Sequence, residues 1–162
     1  MKIPVILNGE KVILDERPEI MLSEVLRKRG LTSVKEGCIE ENYTSSTVLL
    51  DDKPVPSCII PVGIVRNASI ETLEFFLLTR EADDIIMGFK QAGLSMCGWC
   101  NGARIFSTYA LLKKSYRPSE KELLELAESI ECDCTDKKTF INGVLYATAA
   151  KHEREGRRNV II

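Results

Sequence analysis

Nothing in this sequence is both long and apolar, and neither sign of charge dominates it. No stretch approaches the roughly 20 apolar residues of a membrane span. The opening MKIPVILNGEKVIL has a short apolar run that breaks at Asn8-Gly9, too short for the apolar region of a secretory signal. Lysine and arginine number 22 against 24 aspartates and glutamates, a formal net charge of -2, so neither nucleic acid nor an acidic membrane is an expected partner. Histidine occurs once, as His152 in a charged tail, where a solvated side chain is expected rather than a metal ligand. There is no nucleophile–base pair, no phosphate-cradling loop and no acid/base dyad, hence no sign of catalysis by this polypeptide alone. A cytoplasmic location is the default expectation.

What is present suits a folded chain. Hydrophobic residues make up 44% and charged residues 28% of 162 positions, enough for one ordinary domain or two small ones. The two halves have different periods. KIPVIL and EKVILD flank Asn8-Gly9, the strongest short hairpin signal. STVLLDDKPVPSCII predicts a second strand pair turning at Asp51 and Asp52, and VRNASIETL a last short strand in which Glu71 is structural. One helix, MLSEVLRKRG, interrupts them, with Met21, Leu22, Val25 and Leu26 on one face and Gly30 as its stop.

From residue 81 the reading is helical: EADDIIMGFKQAG, ARIFSTYALLKKS, SEKELLELAESI and KTFINGVLYATAAKHE. Ser119 with Glu122 three residues later forms a capping box. The boundary falls between Leu78 and Glu81, and the tail REGRRNVII is expected to fray. The whole is α+β.

Six cysteines are informative here, because a reducing compartment turns clustered cysteines towards metal or redox chemistry. Four of them form two pairs, Cys97-Gly-Trp-Cys100 and Cys132-Asp-Cys134. Each pair precedes a predicted helix, near Ala103 and near Lys138. Free N–H groups and the positive end of the helix dipole there favour thiolates. Small Gly98 and Gly102 are expected to let backbone approach sulfur, and Trp99 to pack over the site. Four thiolates suit a [2Fe–2S] cluster or a zinc ion, and spacing leaves both open.

The segment MCGWCNGARIFSTYALLKKSYRPSEKELLELAESIECDCT resembles the helical [2Fe–2S] domain of the molybdenum hydroxylases, the small-subunit family of xanthine dehydrogenase, aldehyde oxidase and carbon monoxide dehydrogenase. Its C-G-x-C, S-x-x-A-L-L and C-x-C-T elements match at the four cysteines, at Ser107, Ala110, Leu111, Leu112 and at Thr135. LNGEKV, LSEVLRKRGLTSVKEGC, TVLLDDKPVPSC and SIETLE follow the family's plant-type ferredoxin domain in order. The resemblance implies a β-grasp ferredoxin-like domain over residues 1–78, then a four-helix [2Fe–2S]-binding domain over 79–162. It implies Cys97, Cys100, Cys132 and Cys134 as ligands of one [2Fe–2S] cluster. Molybdopterin and FAD, if present, belong to partner subunits: a large molybdopterin-type subunit and a flavin subunit.

The sequence also departs from the family. The ferredoxin loop expects cysteine at positions 38, 43, 46 and 58, and this chain has Cys38, Tyr43, Ser46 and Cys58. Tyrosine and serine are hard-oxygen donors of high pKa, so this site is expected to hold no cluster. Cys38 and Cys58 are then expected as reduced thiols, with Tyr43 filling part of the vacated volume. Near the other cluster, Met96 replaces the family's glutamine, Asp133 its arginine and Asp136 its glycine, while Asn101-Gly102-Ala103 replaces T-P-G. The function implied is electron transfer in a molybdenum-hydroxylase-type complex. The alternative is a structural or assembly subunit whose cluster, or zinc, is a folding staple.

Overall fold

The structure is a computed structural model and describes residues 1–35, 43–130 and 132–160. Strands β1 (Lys2–Leu7) and β2 (Glu10–Asp15) pair in register from Lys2–Asp15 to Leu7–Glu10. Asn8 and Gly9 both take positive φ, 50° and 83°, as a two-residue turn matched to strand twist requires. The chain then crosses through helix α1 (Leu22–Lys28), and Gly30 ends it with a φ of 82°.

A second hairpin, β3 (Thr47–Leu50) with β4 (Lys53–Pro56), turns at Asp51 and Asp52, again both at positive φ. Strand β5 (Ser69–Glu71) fits between the hairpins, parallel to β1 and antiparallel to β3. The resulting mixed sheet runs β2-β1-β5-β3-β4. Ile3, Val5 and Leu7 alternate inwards along β1 and meet Leu22, Val25 and Leu26 of α1, with Val48 and Ile70 beside them.

Helices follow: α2 (Leu73–Phe76), α3 (Arg80–Gln91), α4 (Asn101–Lys114), α5 (Glu120–Glu128) and α6 (Lys137–Val160). Helix α6 lies along α3 and touches α5, while α4 packs on α3, α5 and the β3–β4 hairpin. Phe76, Phe89, Phe106, Phe140 and Val144 fill this core. Strand β3 belongs to both cores: Val48 faces the sheet's own, and Leu49 is buried with the helices. That is why TVLL reads as a continuous apolar run rather than an alternation.

Polar contacts tie the turns to the helices. The Asn8 amide exchanges two hydrogen bonds with Thr72 at the start of α2. Asp52 accepts from Tyr109 Oη at 2.8 Å and pairs with Lys113, both on α4. The single turn α2 was not foreseen; its LEFF carries too little periodicity to declare itself. The tail expected to fray instead continues α6 to Val160. Arg154 reaches across to buried Asp84 of α3 at 2.8 Å, which anchors a segment whose lone Gly156 would weaken an isolated helix. His152 is not simply solvated: it stacks on Tyr116 at 3.9 Å and its Nε2 bonds the Tyr116 carbonyl at 2.8 Å.

The predicted capping box is formed. Ser119 Oγ accepts from the Glu122 N–H, and Glu122 accepts from the Ser119 N–H and the Ser115 hydroxyl. Ser119→Ala should therefore cost about 1 kcal/mol and lower the melting temperature by about 2–4 °C for a chain of this size. A thermal melt followed by circular dichroism checks this; an unchanged midpoint would mean the box is not rate- or stability-relevant at this helix end.

Candidate metal centre

Two loops bring the site together. Helix α3 stops at Gly93, whose φ is 70°, and the chain runs to Cys100, which occupies the N-cap position of α4. The second loop carries Cys132 and Cys134 into the start of α6. Asp136 caps that helix: its carboxylate accepts from the Thr139 N–H at 3.2 Å and from the Thr139 hydroxyl. Those bonds hold its carboxyl below the usual range. The aspartate in place of the family's glycine thus has a local structural duty.

The four thiol sulfurs all lie within 4.8 Å of one another. Cys97 is 3.5 Å from Cys100 and 3.4 Å from Cys132, and Cys100 is 3.2 Å from Cys134. Cys100 is buried against the helical core; the other three are half-buried. Among the described residues this is the sole cluster of metal-ligating side chains. The donor set is thiol throughout, which [2Fe–2S] clusters and structural zinc accept alike.

The protein environment treats the four sulfurs unequally. Burial raises the Cys97 thiol, but N–H groups of Cys100 and Trp99 donate to its sulfur and bring it down to about 6. Cys134 is also lowered: burial opposes this, and the Cys97 backbone and the Cys100 and Cys132 thiols outweigh it. Burial pushes Cys100 strongly up and Cys132 up as well. Metal binding needs all four as thiolates and is therefore coupled to proton release.

Several expectations about the surroundings need correction. Trp99 does not cover the sulfurs; it is 54% exposed and lines a groove with Arg27, Thr32 and Lys35. At Gly98 an added Cβ would meet no protein atom within 4 Å beyond its chain neighbours. At Gly102 the nearest neighbour of such a Cβ is the Thr47 carbonyl of β3, 3.7 Å away, not a sulfur. Met96 packs half-buried on the helical core, and Asp133 is exposed. The residue that sequence reasoning missed is Arg104, one turn into α4 and 2% exposed. Its Nε donates to Cys100 Sγ at 3.3 Å and an Nη to the Cys132 carbonyl at 3.0 Å. An arginine inside an apolar core at a helix start next to cysteines was the available signal.

The N-terminal loop is described only in part: Cys38 and the Tyr43 side chain lie outside the described residues. Ser46 is fully buried; its hydroxyl accepts from the Cys58 N–H at 3.3 Å, and its carbonyl from Ser57 Oγ at 2.6 Å. Cys58 is disulfide-bonded, not the reduced thiol expected. A thiol with no iron to hold is open to oxidation where a second sulfur comes within bonding reach.

Residues 72–145 match the [2Fe-2S] binding domain family. The chain is 33% identical over 142 residues to the nicotinate dehydrogenase small FeS subunit of Eubacterium barkeri, covering 87% of this chain and 90% of that one. It is 32% identical over 144 residues to the xanthine dehydrogenase iron-sulfur-binding subunit of Escherichia coli O157:H7, covering 86% and 89%. Among solved structures, the aldehyde oxidoreductase of Desulfovibrio desulfuricans superposes with a TM-score of 0.81 at 33% identity. That match takes in 94% of this chain and 17% of the longer oxidoreductase. Quinoline 2-oxidoreductase of Pseudomonas putida 86 gives 0.80 at 28% identity, covering 94% of this chain and 96% of the matched one.

Proposed function

Because this chain belongs to the family of small iron–sulfur subunits of the molybdenum hydroxylases, we propose that it is the electron-transfer subunit of such an oxidoreductase, with one [2Fe–2S] cluster on Cys97, Cys100, Cys132 and Cys134. The observation that carries this is the convergence of four thiols, from two loops 35 residues apart, to within 4.8 Å. When bound, a [2Fe–2S] cluster takes up and returns one electron at a time. The chain's own residues hold the sulfurs, direct the Trp99 and Cys100 N–H groups at Cys97, and seat Cys100 out of water.

In this reading the chain divides at about residue 78. The division is not a clean cut, since Leu73 and Phe76 already belong to the helical core and the family match begins at 72. Residues 1–78 hold no cluster. Support comes from the disulfide at Cys58 and from the Ser46 hydroxyl, which is engaged with the Cys58 backbone. The partners in this reading are a large molybdopterin-type subunit and a flavin subunit; that the relatives are named a small FeS subunit and an iron-sulfur-binding subunit supports assembly with further subunits. With the usual second cluster gone, electrons leave the retained site for another acceptor. No helix among the described residues is long and apolar enough to cross a membrane.

Metal analysis of the complex purified without oxygen tests the proposal. Two irons and two sulfides per chain are expected. Four irons would mean that the N-terminal loop is loaded after all, and stoichiometric zinc in place of iron would refute the redox role. Electron transfer is separated from a mere folding staple by rate: the cluster must be reduced within the time of one substrate turnover.

A further inference from the structure

A buried guanidinium needs an anion, and among the described residues no carboxylate is bonded to Arg104. Its side chain is 2% exposed and forms no salt bridge among the described residues. Its contacts are Cys100 Sγ at 3.3 Å from Nε, the Cys132 carbonyl at 3.0 Å and Cys134 Sγ at 4.0 Å from one Nη, and the Phe140 ring, 4.6 Å from the guanidinium carbon. Arginine stays protonated in proteins, and a lone buried cation is strongly disfavoured. A carbonyl and an aromatic face supply partial charge only. The remaining candidates for a full negative charge are the thiolate sulfurs to which Nε and Nη point.

Resting on the cluster site proposed above, we infer that Arg104 is the built-in countercharge of the [2Fe–2S] cluster, set on its protein side to stabilise the reduced form. A cluster on four thiolates is anionic and becomes one unit more so on reduction, and its potential responds to net charge, hydrogen bonds to sulfur and exposure. Arg104 acts on all three: it adds a positive charge, donates towards two sulfurs, and does so from a side chain only 2% exposed. The acidic groups near the site are placed differently. Asp133 and Asp136 are exposed, so water and salt screen them; the guanidinium lines the same cavity but is only 2% exposed and is screened less. Arg104 touches ligands rather than substrate and is therefore a positioning and tuning residue. The electron itself comes from the substrate-oxidising partner, or in a titration from a mediator, and no protein bond breaks.

The test is a mediated redox titration of Arg104→Met and Arg104→Lys beside the unaltered chain, with iron and sulfide measured on each. Arg104→Met, close in volume but neutral, should shift the equilibrium at least tenfold towards the oxidised cluster. For one electron that is a potential lower by about 59 mV, and the shift should persist at high salt. Arg104→Lys should move less than half as far. A fully loaded Arg104→Met whose reduction equilibrium lies within threefold of the unaltered chain's, about 28 mV for one electron, overturns the inference, and so does a shift that high salt abolishes. If Met does not load, Arg104→Gln, which keeps an N–H for the Cys132 carbonyl, decides by the same criterion. Loss of iron from both neutral variants with retention in Lys supports the countercharge; loss from all three reduces Arg104 to a structural residue and overturns it. An unaltered chain without iron and sulfide would fail differently, by removing the cluster reading itself.

Discussion

Cys132→Ala should strip the chain of iron and sulfide almost completely and bleach its visible absorbance. A [2Fe–2S] cluster takes four protein ligands, and among the described residues there is no fifth metal-ligating side chain grouped with the four sulfurs. Cys132 is half-buried, 3.4 Å from Cys97 and held by Arg104 through its carbonyl. Its loss leaves Cys134 as the single sulfur on that loop. Because metal binding is coupled to folding, the variant should also melt earlier than the loaded chain. Cys58→Ala is the contrasting variant: it should keep the iron, since that sulfur is already in a disulfide. Iron that survives Cys132→Ala and departs with Cys58→Ala would transfer the cluster to the N-terminal loop. Iron, sulfide and absorbance measured on both variants decide between the two sites.

Gly88→Ala should destabilise the protein by about 3 kcal/mol, at the upper end of ordinary overpacking. An alanine Cβ at this position would stand 2.2 Å from the Ala147 nitrogen, 2.6 Å from its Cα and 2.7 Å from the Gly143 carbonyl. These are backbone atoms of α6, so no side chain can swing aside. The helices α3 and α6 must part, straining the Asp84–Arg154 bond and the Phe89–Phe140 edge contact at 5.8 Å. Alanine's better helix propensity returns about 1 kcal/mol at most. A fall of about 6–12 °C in melting temperature is expected. A rise instead would show that the two helices do not approach as closely as described. Gly143 makes the reciprocal contact, where an added Cβ would meet the Phe89 ring at 2.9 Å.

What could be read from the sequence was local. Asn8-Gly9 and Asp51-Asp52 name their turns because positive φ selects their residue types. Ser119 and Glu122 lie three residues apart and cap their own helix. The two cysteine pairs announced a site because each pair is contiguous, and the order of motifs supplied the family. What could not be read depends on which distant residues meet. Arg154 looked like tail because Asp84, its partner, is 70 residues away. His152 looked solvated because Tyr116, on which it stacks, lies in the distant loop between α4 and α5. Trp99 was expected inside because tryptophan is large and apolar, yet the site closes with the ring outside. Arg104 was passed over because it interrupts an apolar helix face, and only the fold shows that this interruption points at sulfur.

Strand β3 has one further consequence. Its neighbouring residues Val48 and Leu49 are committed to different cores, so neither half can lose this strand and keep its interior closed. Heat or denaturant therefore meets one cooperative unit rather than two. Leu49 of the β3–β4 hairpin and Cys100 are buried in the same helical interior, so the hairpin is part of what seals that sulfur. The sheet and the four-cysteine helical half thus share one strand, and the helical interior is incomplete without it.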